Sequence, residues 1–263
     1  MAGLGVPIVI IPPALVGVAL LLVPTAALLV RTPWTRLGPI YHDQHVWTAL
    51  RLSIESSLEA TAASVVLGVP VAWVLARLRV RGIGLLRAIV TVPLVLPPVF
   101  GGVALFDAFG RNGILGDPIH GVLGHDLPFT FPGIVVAETF VAMPFLIVTV
   151  EAAFRIADRG VEEAAATLGA SRSRIFLRVT LPLVLPAIVL GAILCWARAL
   201  GEFGATLLFG GNTVGTTRTV PTAALTVFSN DPADAPALAL PLMLVAVIVL
   251  VAMRDKWLRP VAA

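Results

Sequence analysis

Six long apolar stretches separated by polar connections divide this chain and predict its architecture. A bilayer core about 30 Å thick is crossed by roughly 20 apolar residues in a helix, and each stretch reaches or approaches that length. The stretches are residues 8–30, 53–76, 86–106, 133–154, 182–209 and 236–253. Because they are continuous rather than short and alternating, they indicate helices and not strands. The pattern therefore predicts an all-α integral membrane protein with six transmembrane helices.

Composition agrees with that prediction. Apolar residues make up 58% of the chain and charged residues 13%, with a mean hydropathy of +0.99. These values lie far from those of a water-soluble domain, and little chain remains for an aqueous one. The first stretch differs from a secretory signal, because residues 1–7 carry no positive side chain and the stretch is long. We expect it to be retained as a helix.

Basic residues predict the orientation, since they collect on the cytoplasmic side of a membrane. With the N-terminus inside, twelve of the 18 lysines and arginines fall in inner segments. They are Arg77, Arg79, Arg81, Arg87, Arg155, Arg159, Arg172, Arg174, Arg178, Arg254, Lys256 and Arg259. Arg31 and Arg36 oppose this assignment at the first helix, but the later loops outweigh them. Both termini are predicted to be cytoplasmic, and the basic pI reflects this inner-face bias rather than nucleic-acid binding.

Several kinds of chemistry are excluded by the residues available. The single lysine, Lys256, follows Asp255 and not a glycine, so the chain has no phosphate-binding loop of the Walker type. The single cysteine, Cys195, precludes an internal disulfide or a thiolate cluster. Histidines occur only in outer connections; His42 and His45 could share a metal ion, but solvated loop histidines have the same pattern. We expect no catalytic residue, no cofactor and no metal site.

The segment 155–182 is too polar for lipid and too patterned for a linker. Glu162 and Glu163 precede an alanine-rich stretch, and carboxylates in a first helical turn favour helix initiation. Gly169 permits a sharp reversal of the chain. Pro182 suits the first turn of the fifth apolar stretch, where its missing N–H costs no helical hydrogen bond. The sequence predicts two short helices that meet at a bend and continue into a membrane helix.

This pattern resembles the coupling loop of binding-protein-dependent ABC importer permeases of the type I fold. The matching positions are Glu163, Ala164, Ala165, Gly169, Val179, Leu181 and Pro182, with valine where isoleucine is usual. The resemblance implies that this loop docks in a groove of a cytoplasmic ATPase subunit. It implies a first helix and outer loop in 1–47, a permease domain in 48–252 containing the coupling loop 155–182, and a cytoplasmic tail in 253–263.

Within that family the chain looks most similar to the molybdate branch, with the sulfate branch close behind. The resemblance rests on the run from Arg198 to Thr206 and on Pro97-Pro98 followed by Gly101-Gly102. It implies an ATP-driven oxyanion importer for molybdate, or for tungstate or sulfate/thiosulfate, in the cytoplasmic membrane. The implied partners are an ATPase subunit dimer, an extracytoplasmic oxyanion-binding protein and lipid, and a single docking loop per chain implies a homodimer.

Polar residues within the apolar stretches predict the translocation pathway, because exposing them to lipid is costly. A stripe on the second stretch contains Ser53, Ser56, Ser57, Thr61 and Ser64 beside Glu55 and Glu59. Glu138 and the pair Arg198 and Glu202 lie at the outer half of later stretches. Arg198 and Glu202 are one helical turn apart and can form an ion pair, either a gate for the oxyanion or a static contact that fixes helix register.

Two other classes remain as alternatives. A secondary transporter requires an inverted repeat and ion ligands at mid-membrane depth, and neither is evident. A membrane-embedded hydrolase requires a serine with a base, or histidine and carboxylate metal ligands, within the apolar stretches, and these stretches contain no histidine. Residues 210–221, rich in glycine and threonine, are predicted to form an outer loop that either contacts a binding protein or is solvated.

Overall fold

The computed structural model describes residues 7–257. For residue 250 and residues 252–257 it describes only the backbone. Every regular element in this part of the chain is helical. The α-helices are α1 (Ile11–Arg31), α2 (Leu37–His42), α3 (Gln44–Arg77), α4 (Ile83–Val95), α5 (Pro98–Phe109), α6 (Gly116–Leu123), α7 (Phe131–Ile156), α8 (Arg159–Thr167), α9 (Arg172–Ile175), α10 (Leu181–Leu200), α11 (Val220–Asn230) and α12 (Ala235–Trp257). Short 3₁₀ turns span Ile8–Ile10 and Trp34–Arg36, and π-helical turns span Phe176–Thr180 and Thr206–Gly210.

In the part of the chain that the structure describes, four helices are long and apolar enough to cross a membrane: Ile8–Arg31, Gln44–Arg77, Phe131–Ile156 and Arg172–Leu200. The pair α4 and α5 makes a fifth crossing if it acts as one broken span. Within the described residues, the apolar part of α12 is shorter, Ala235–Val249. The all-helical membrane architecture is therefore confirmed. The described residues contain four or five candidate crossings, so the predicted count of six is not confirmed.

The third apolar stretch is not one helix, which corrects the prediction for 86–106. Helix α4 ends at Val95, α5 begins at Pro98, and the two are bent by 120°. Leu96 and Pro97 adopt extended backbone with ψ of 126° and 133°. A residue that precedes a proline is disfavoured in the α conformation, so two consecutive prolines end the first helix here.

The fifth helix is displaced from its predicted bounds of 182–209. The helix ends at Leu200. It begins at Arg172, because α9, a π turn and α10 form one helix of 29 residues. Pro182 lies in the first turn of α10, but helical chain already precedes it. The N–H of Leu181 donates to the carbonyl of Phe176, five residues back. This π turn lies where Pro182 lacks an N–H for regular α-helical bonding.

The chain forms two compact units, and the larger contains residues 47–223. Helix α7 lies at its centre and packs most extensively on α10. Gly191 allows this approach, since a Cβ there would lie 3.4 Å from the Cα of Leu146. Leu146, Ile147 and Phe154 of α7 are fully buried in the core. These contacts hold the C-terminal half of α7 in the core of this unit.

The smaller unit contains residues up to 46 and from 224 onward. Helix α1 contacts α12, and none of the α1 residues is buried. Arg36 pairs with Asp231 and Asp234, and the Tyr41 hydroxyl donates to the Ala237 carbonyl at 2.6 Å. Burial raises the pKa of Tyr41, which keeps this donor protonated. Of the predicted tail 253–263, the backbone is helical to Trp257, and residues 258–263 lie outside the described part.

Candidate functional site

The predicted docking loop contains a hairpin, residues 158–175, of two short helices joined at a glycine. We call this segment the docking hairpin after that prediction. Helix α8 begins at Arg159, three residues before Glu162, because the Asp158 side chain accepts a hydrogen bond from the Gly160 N–H at 2.8 Å. After α8 the chain reverses at Gly169, whose φ of +81° favours glycine. The N–H of Ala170 donates to the Ala165 carbonyl at 3.1 Å, which closes the helix end.

The exposed surface of this hairpin combines small and apolar side chains with charged ones. Glu163, Ala164 and Gly169 are exposed, and Ala165 is half-buried. Leu168 at the tip is 89% exposed. Val179 and Leu181 are half-buried and Pro182 is exposed where the chain joins α10. An exposed apolar tip on a rigid turn is a surface suited to contact with a protein partner.

Glu162, which is not part of the recognised pattern, attaches the hairpin to the membrane helices. Its Oε1 accepts a hydrogen bond from Arg77 Nη2 at 2.8 Å and another from Thr180 Oγ1 at 3.0 Å. Arg77 is the last residue of α3, and Thr180 ends the π turn before α10. The pattern identifies Glu163, but only the fold shows that Glu163 is exposed and that Glu162 is anchored.

A second polar cluster lies inside the larger unit. Arg198 Nη2 is 2.6 Å from Glu202 Oε2, and the Glu202 side chain is 1% exposed. Glu202 Oε1 also accepts from the Ala205 N–H at 2.8 Å. Glu138 of α7 is buried, accepts from Ser56 Oγ at 2.8 Å, and lies near enough to Glu202 for electrostatic interaction. Helices α3, α7 and α10 thus place their polar residues around one buried region.

Glu59 is not brought into this cluster. Ser53, Ser56, Ser57 and Ser64 are buried, whereas Glu59 is exposed on α3. Glu55 pairs instead with Arg51, at 2.7 Å. The predicted polar stripe therefore divides into a serine face that packs inside the chain and carboxylates at its surface.

The two motifs that suggested a molybdate branch are in contact in the folded chain. A Cβ on Gly102 would lie 2.8 Å from the Leu208 Cβ and 3.2 Å from the Ala205 Cα. A Cβ on Gly204 would lie 3.0 Å from the backbone N of Val99. These glycines let α5 lie directly against the chain that follows Glu202. This contact connects the broken third span to the Arg198 and Glu202 pair.

The predicted outer loop 210–221 is only partly solvated. Thr213 and Thr216 are exposed, but Thr217 and Thr219 are each 1% exposed. The N–H of Val220 donates to Ser53 Oγ at 2.8 Å, which attaches this segment to α3. Sequence composition did not indicate this burial, because threonine is common both in loops and in buried turns.

Residues 64–260 match the family described as "Binding-protein-dependent transport system inner membrane component". The chain belongs to this family. It is therefore a permease component of a transport system, a multi-pass protein of the inner membrane, and the resemblance predicted from the docking hairpin is confirmed.

Relatives of this permease carry a more specific description. A "Molybdenum transport system permease protein ModB" of Mycobacterium tuberculosis is 44% identical over 237 residues, covering 90% of this chain and 89% of the relative. The protein of the same description from Escherichia coli K12 is 37% identical over 212 residues, covering 81% of this chain and 93% of the relative. Both alignments extend over most of each protein.

Solved transporter structures share the fold of this permease. A bacterial alginate ABC transporter in complex with its substrate-bound periplasmic protein has a TM-score of 0.71 at 16% identity, covering 94% of this chain and 93% of that one. The MetNI methionine ABC transporter has a TM-score of 0.59 at 21% identity, covering 81% and 97%. At these identities the likeness concerns the fold alone.

Proposed function

We propose that this permease is the membrane subunit of an ATP-driven importer that carries molybdate across the cytoplasmic membrane. The observation that carries the proposal is 44% identity to a molybdenum transport permease along nine-tenths of the chain. Tungstate is the alternative cargo and sulfate or thiosulfate a less favoured one, since all are tetrahedral oxyanions. The chain supplies the path and the docking surface, while a separate subunit hydrolyses ATP.

Six crossings with both termini in the cytoplasm fit this role. The bent pair α4 and α5 would count as one crossing, and α12, with 23 residues, is long enough for another. This orientation places the arginine-rich docking hairpin in the cytoplasm, as the distribution of basic residues favours.

The partners follow from the surfaces the chain exposes. The docking hairpin would insert into an ATPase subunit, and an extracytoplasmic oxyanion-binding protein would deliver the cargo. One chain carries one hairpin, so a homodimer would present two hairpins to an ATPase dimer. Glu59, exposed halfway along α3, then has a place at the pathway between the two copies.

A continuous helix offers a physical route from the hairpin to the polar cluster. The 29 residues from Arg172 to Leu200 make a helix roughly 44 Å long. Its first turns belong to the hairpin and its last turn carries Arg198. A movement of the ATPase subunits would displace the hairpin and, through this helix, the Arg198 end.

We place a gate for the oxyanion at Arg198 and Glu202, at the end of this helix. Arg198 is 27% exposed and attracts an oxyanion, whereas Glu202 is buried and repels one. Glu202 would hold Arg198 in the closed state, and arrival of the oxyanion would compete for the guanidinium group. Glu138 lies behind this pair and contributes no positive charge. A static ion pair that only fixes helix register is the competing interpretation.

Substrate choice is tested by ATPase activity of the reconstituted complex. The binding protein is loaded in turn with molybdate, tungstate and sulfate, and the unloaded protein is the control. We expect the largest stimulation with molybdate. Equal stimulation by sulfate would contradict the molybdate assignment, and uptake without ATP would instead indicate a secondary transporter.

Docking of the hairpin on the ATPase subunit is tested by Ala164→Lys. Ala164 is exposed, so the substitution leaves the core unchanged. We expect this variant to lose co-purification with the ATPase subunit. The matched control is Val122→Lys on α6, where the side chain is 85% exposed. Retained co-purification in Ala164→Lys, at the level of the control, would contradict the assigned docking surface.

The gate and the static ion pair are separated by two variants. Arg198→Gln leaves the buried Glu202 unpaired, which should cost about 3–5 kcal/mol and abolish uptake. In Arg198→Gln/Glu202→Gln the uncompensated charge is gone, so thermal stability should recover. If Arg198 attracts the oxyanion, uptake stays lost in the double variant. Recovery of uptake together with stability would establish a static contact instead.

A further inference from the structure

A cavity of about 640 Å³ lies next to the docking hairpin and is lined by five arginines. They are Arg79, Arg81, Arg87, Arg155 and Arg159. The remaining wall is aliphatic and includes Leu78, Val80 and Ile83. No lysine, aspartate or glutamate belongs to the lining, so the cavity combines strong positive charge with apolar surface.

Two of the arginines are held by a buried carboxylate. Glu151 Oε1 accepts from Arg87 Nε at 2.9 Å and from Arg155 Nη2 at 2.7 Å. Arg87 Nη2 also donates to the Leu75 carbonyl at 3.1 Å. These contacts fix one wall of the cavity and leave the single Glu151 carboxylate shared between two guanidinium groups.

The other three arginines carry the excess charge. Arg79, Arg81 and Arg159 are exposed, and the side-chain contacts of residues 7–249 and 251 assign no acidic partner to them. The nearby Asp158 is engaged in capping α8 through the Gly160 N–H. Three guanidinium groups at one cavity repel one another unless an anion lies between them.

The cavity is at the level where the apolar helices end. It borders the last turn of α3, the first residue of α4 and the end of α7. None of the α4 residues is buried, and its side chains Leu85, Ile89 and Val92 are 67%, 58% and 49% exposed. An apolar surface therefore extends from the charged cavity along α4.

We propose that this cavity binds the phosphate headgroup of an anionic phospholipid, whose acyl chains lie along α4. Arginine forks bind phosphate oxygens in bidentate geometry, and basic pockets between membrane helices suit such headgroups. A free oxyanion would use the arginines and leave the aliphatic wall and α4 uncovered. An acidic protein segment would satisfy the charge but not the apolar surface that continues into the membrane.

The test measures lipid retention by the purified full-length permease. The protein is mixed with micelles containing phosphatidylcholine and either phosphatidylglycerol or cardiolipin, and bound lipid is quantified by native mass spectrometry. Arg79→Gln/Arg81→Gln/Arg159→Gln should lose anionic lipid roughly tenfold or more, and phosphatidylcholine adducts should not change. The matched control, Arg172→Gln/Arg174→Gln/Arg178→Gln, removes the same charge from the hairpin and the π turn that follows it, and should retain the lipid within about twofold.

Three results would overturn the proposal. Equal lipid loss in both triple variants would indicate general charge attraction. Displacement of the lipid by millimolar inorganic phosphate or molybdate would make the cavity a site for free oxyanions. Release of the lipid when the ATPase subunit is added would assign this surface to a protein partner.

Discussion

At the scale of single residues, the two neighbouring glutamates of the docking hairpin differ in what they touch. Glu162 binds Arg77 and Thr180, while Glu163 is exposed. Arg77 has a side chain only 8% exposed, and Glu162 supplies the counter-charge for this largely buried guanidinium group. The residue in the recognised pattern thus faces the predicted partner, and its neighbour holds the hairpin on the membrane helices.

This division predicts different effects of the same substitution. Glu162→Gln leaves the largely buried Arg77 without a counter-charge and should lower the free energy of unfolding by about 1–3 kcal/mol. Glu163→Gln, at an exposed position, should change it by about 0.5 kcal/mol or less. Thermal unfolding of both variants in detergent measures the difference, and equal melting temperatures would contradict the anchoring role.

At the scale of elements, two prolines and two glycines determine how the third and fifth spans meet. Pro97 and Pro98 end α4 and start α5 in a new direction. Gly102 on α5 and Gly204 after α10 let the two backbones approach closely. The apolar composition of 86–106 indicated a single span, because hydropathy does not register where a helix bends.

Alanine substitution tests this close contact. Gly102→Ala places a Cβ 2.8 Å from Leu208, so overpacking should destabilise the protein by about 1–3 kcal/mol. Gly84→Ala on α4 is the control, since its Cβ meets no atom within 4 Å. That variant should be neutral or more stable by up to about 1 kcal/mol. A Gly102→Ala variant as stable as Gly84→Ala would contradict the packing described here.

At the scale of the whole molecule, the chain leaves large apolar surfaces uncovered. Helix α1 has no buried residue, and many side chains of α4 are exposed. Lipid or a second subunit must cover such surfaces in a membrane protein. The docking hairpin and Glu59 are exposed as well, and both would be covered in the proposed assembly of two permease chains with ATPase subunits.

The proposed orientation is tested by labelling single cysteines. Cys195 is buried, and Cys195→Ala provides the background for Leu168→Cys in the hairpin and Val122→Cys on α6. A membrane-impermeant maleimide should label Val122→Cys in intact cells and Leu168→Cys only in inverted vesicles. Labelling in the opposite order would reverse the assigned topology.

The sequence by itself determined the membrane location, the helical class and the family. Each depends on a local property: uninterrupted apolar length, and the spacing of Glu163, Gly169 and Pro182 along one segment. It also placed Arg198 beside Glu202, because residues four apart in a helix always lie on one face.

Only the tertiary structure decided which residues from distant segments meet. Ser56 and Glu138, Gly102 and Ala205, and Glu162 and Arg77 are far apart in sequence, and no local pattern pairs them. The same holds for the arginine-lined cavity, whose walls come from α3, α4, α7 and α8. Such contacts depend on how the helices pack against one another. One pattern of apolar residues is compatible with many helix packings, and close contacts such as those at Gly102 and Gly204 select one of these packings.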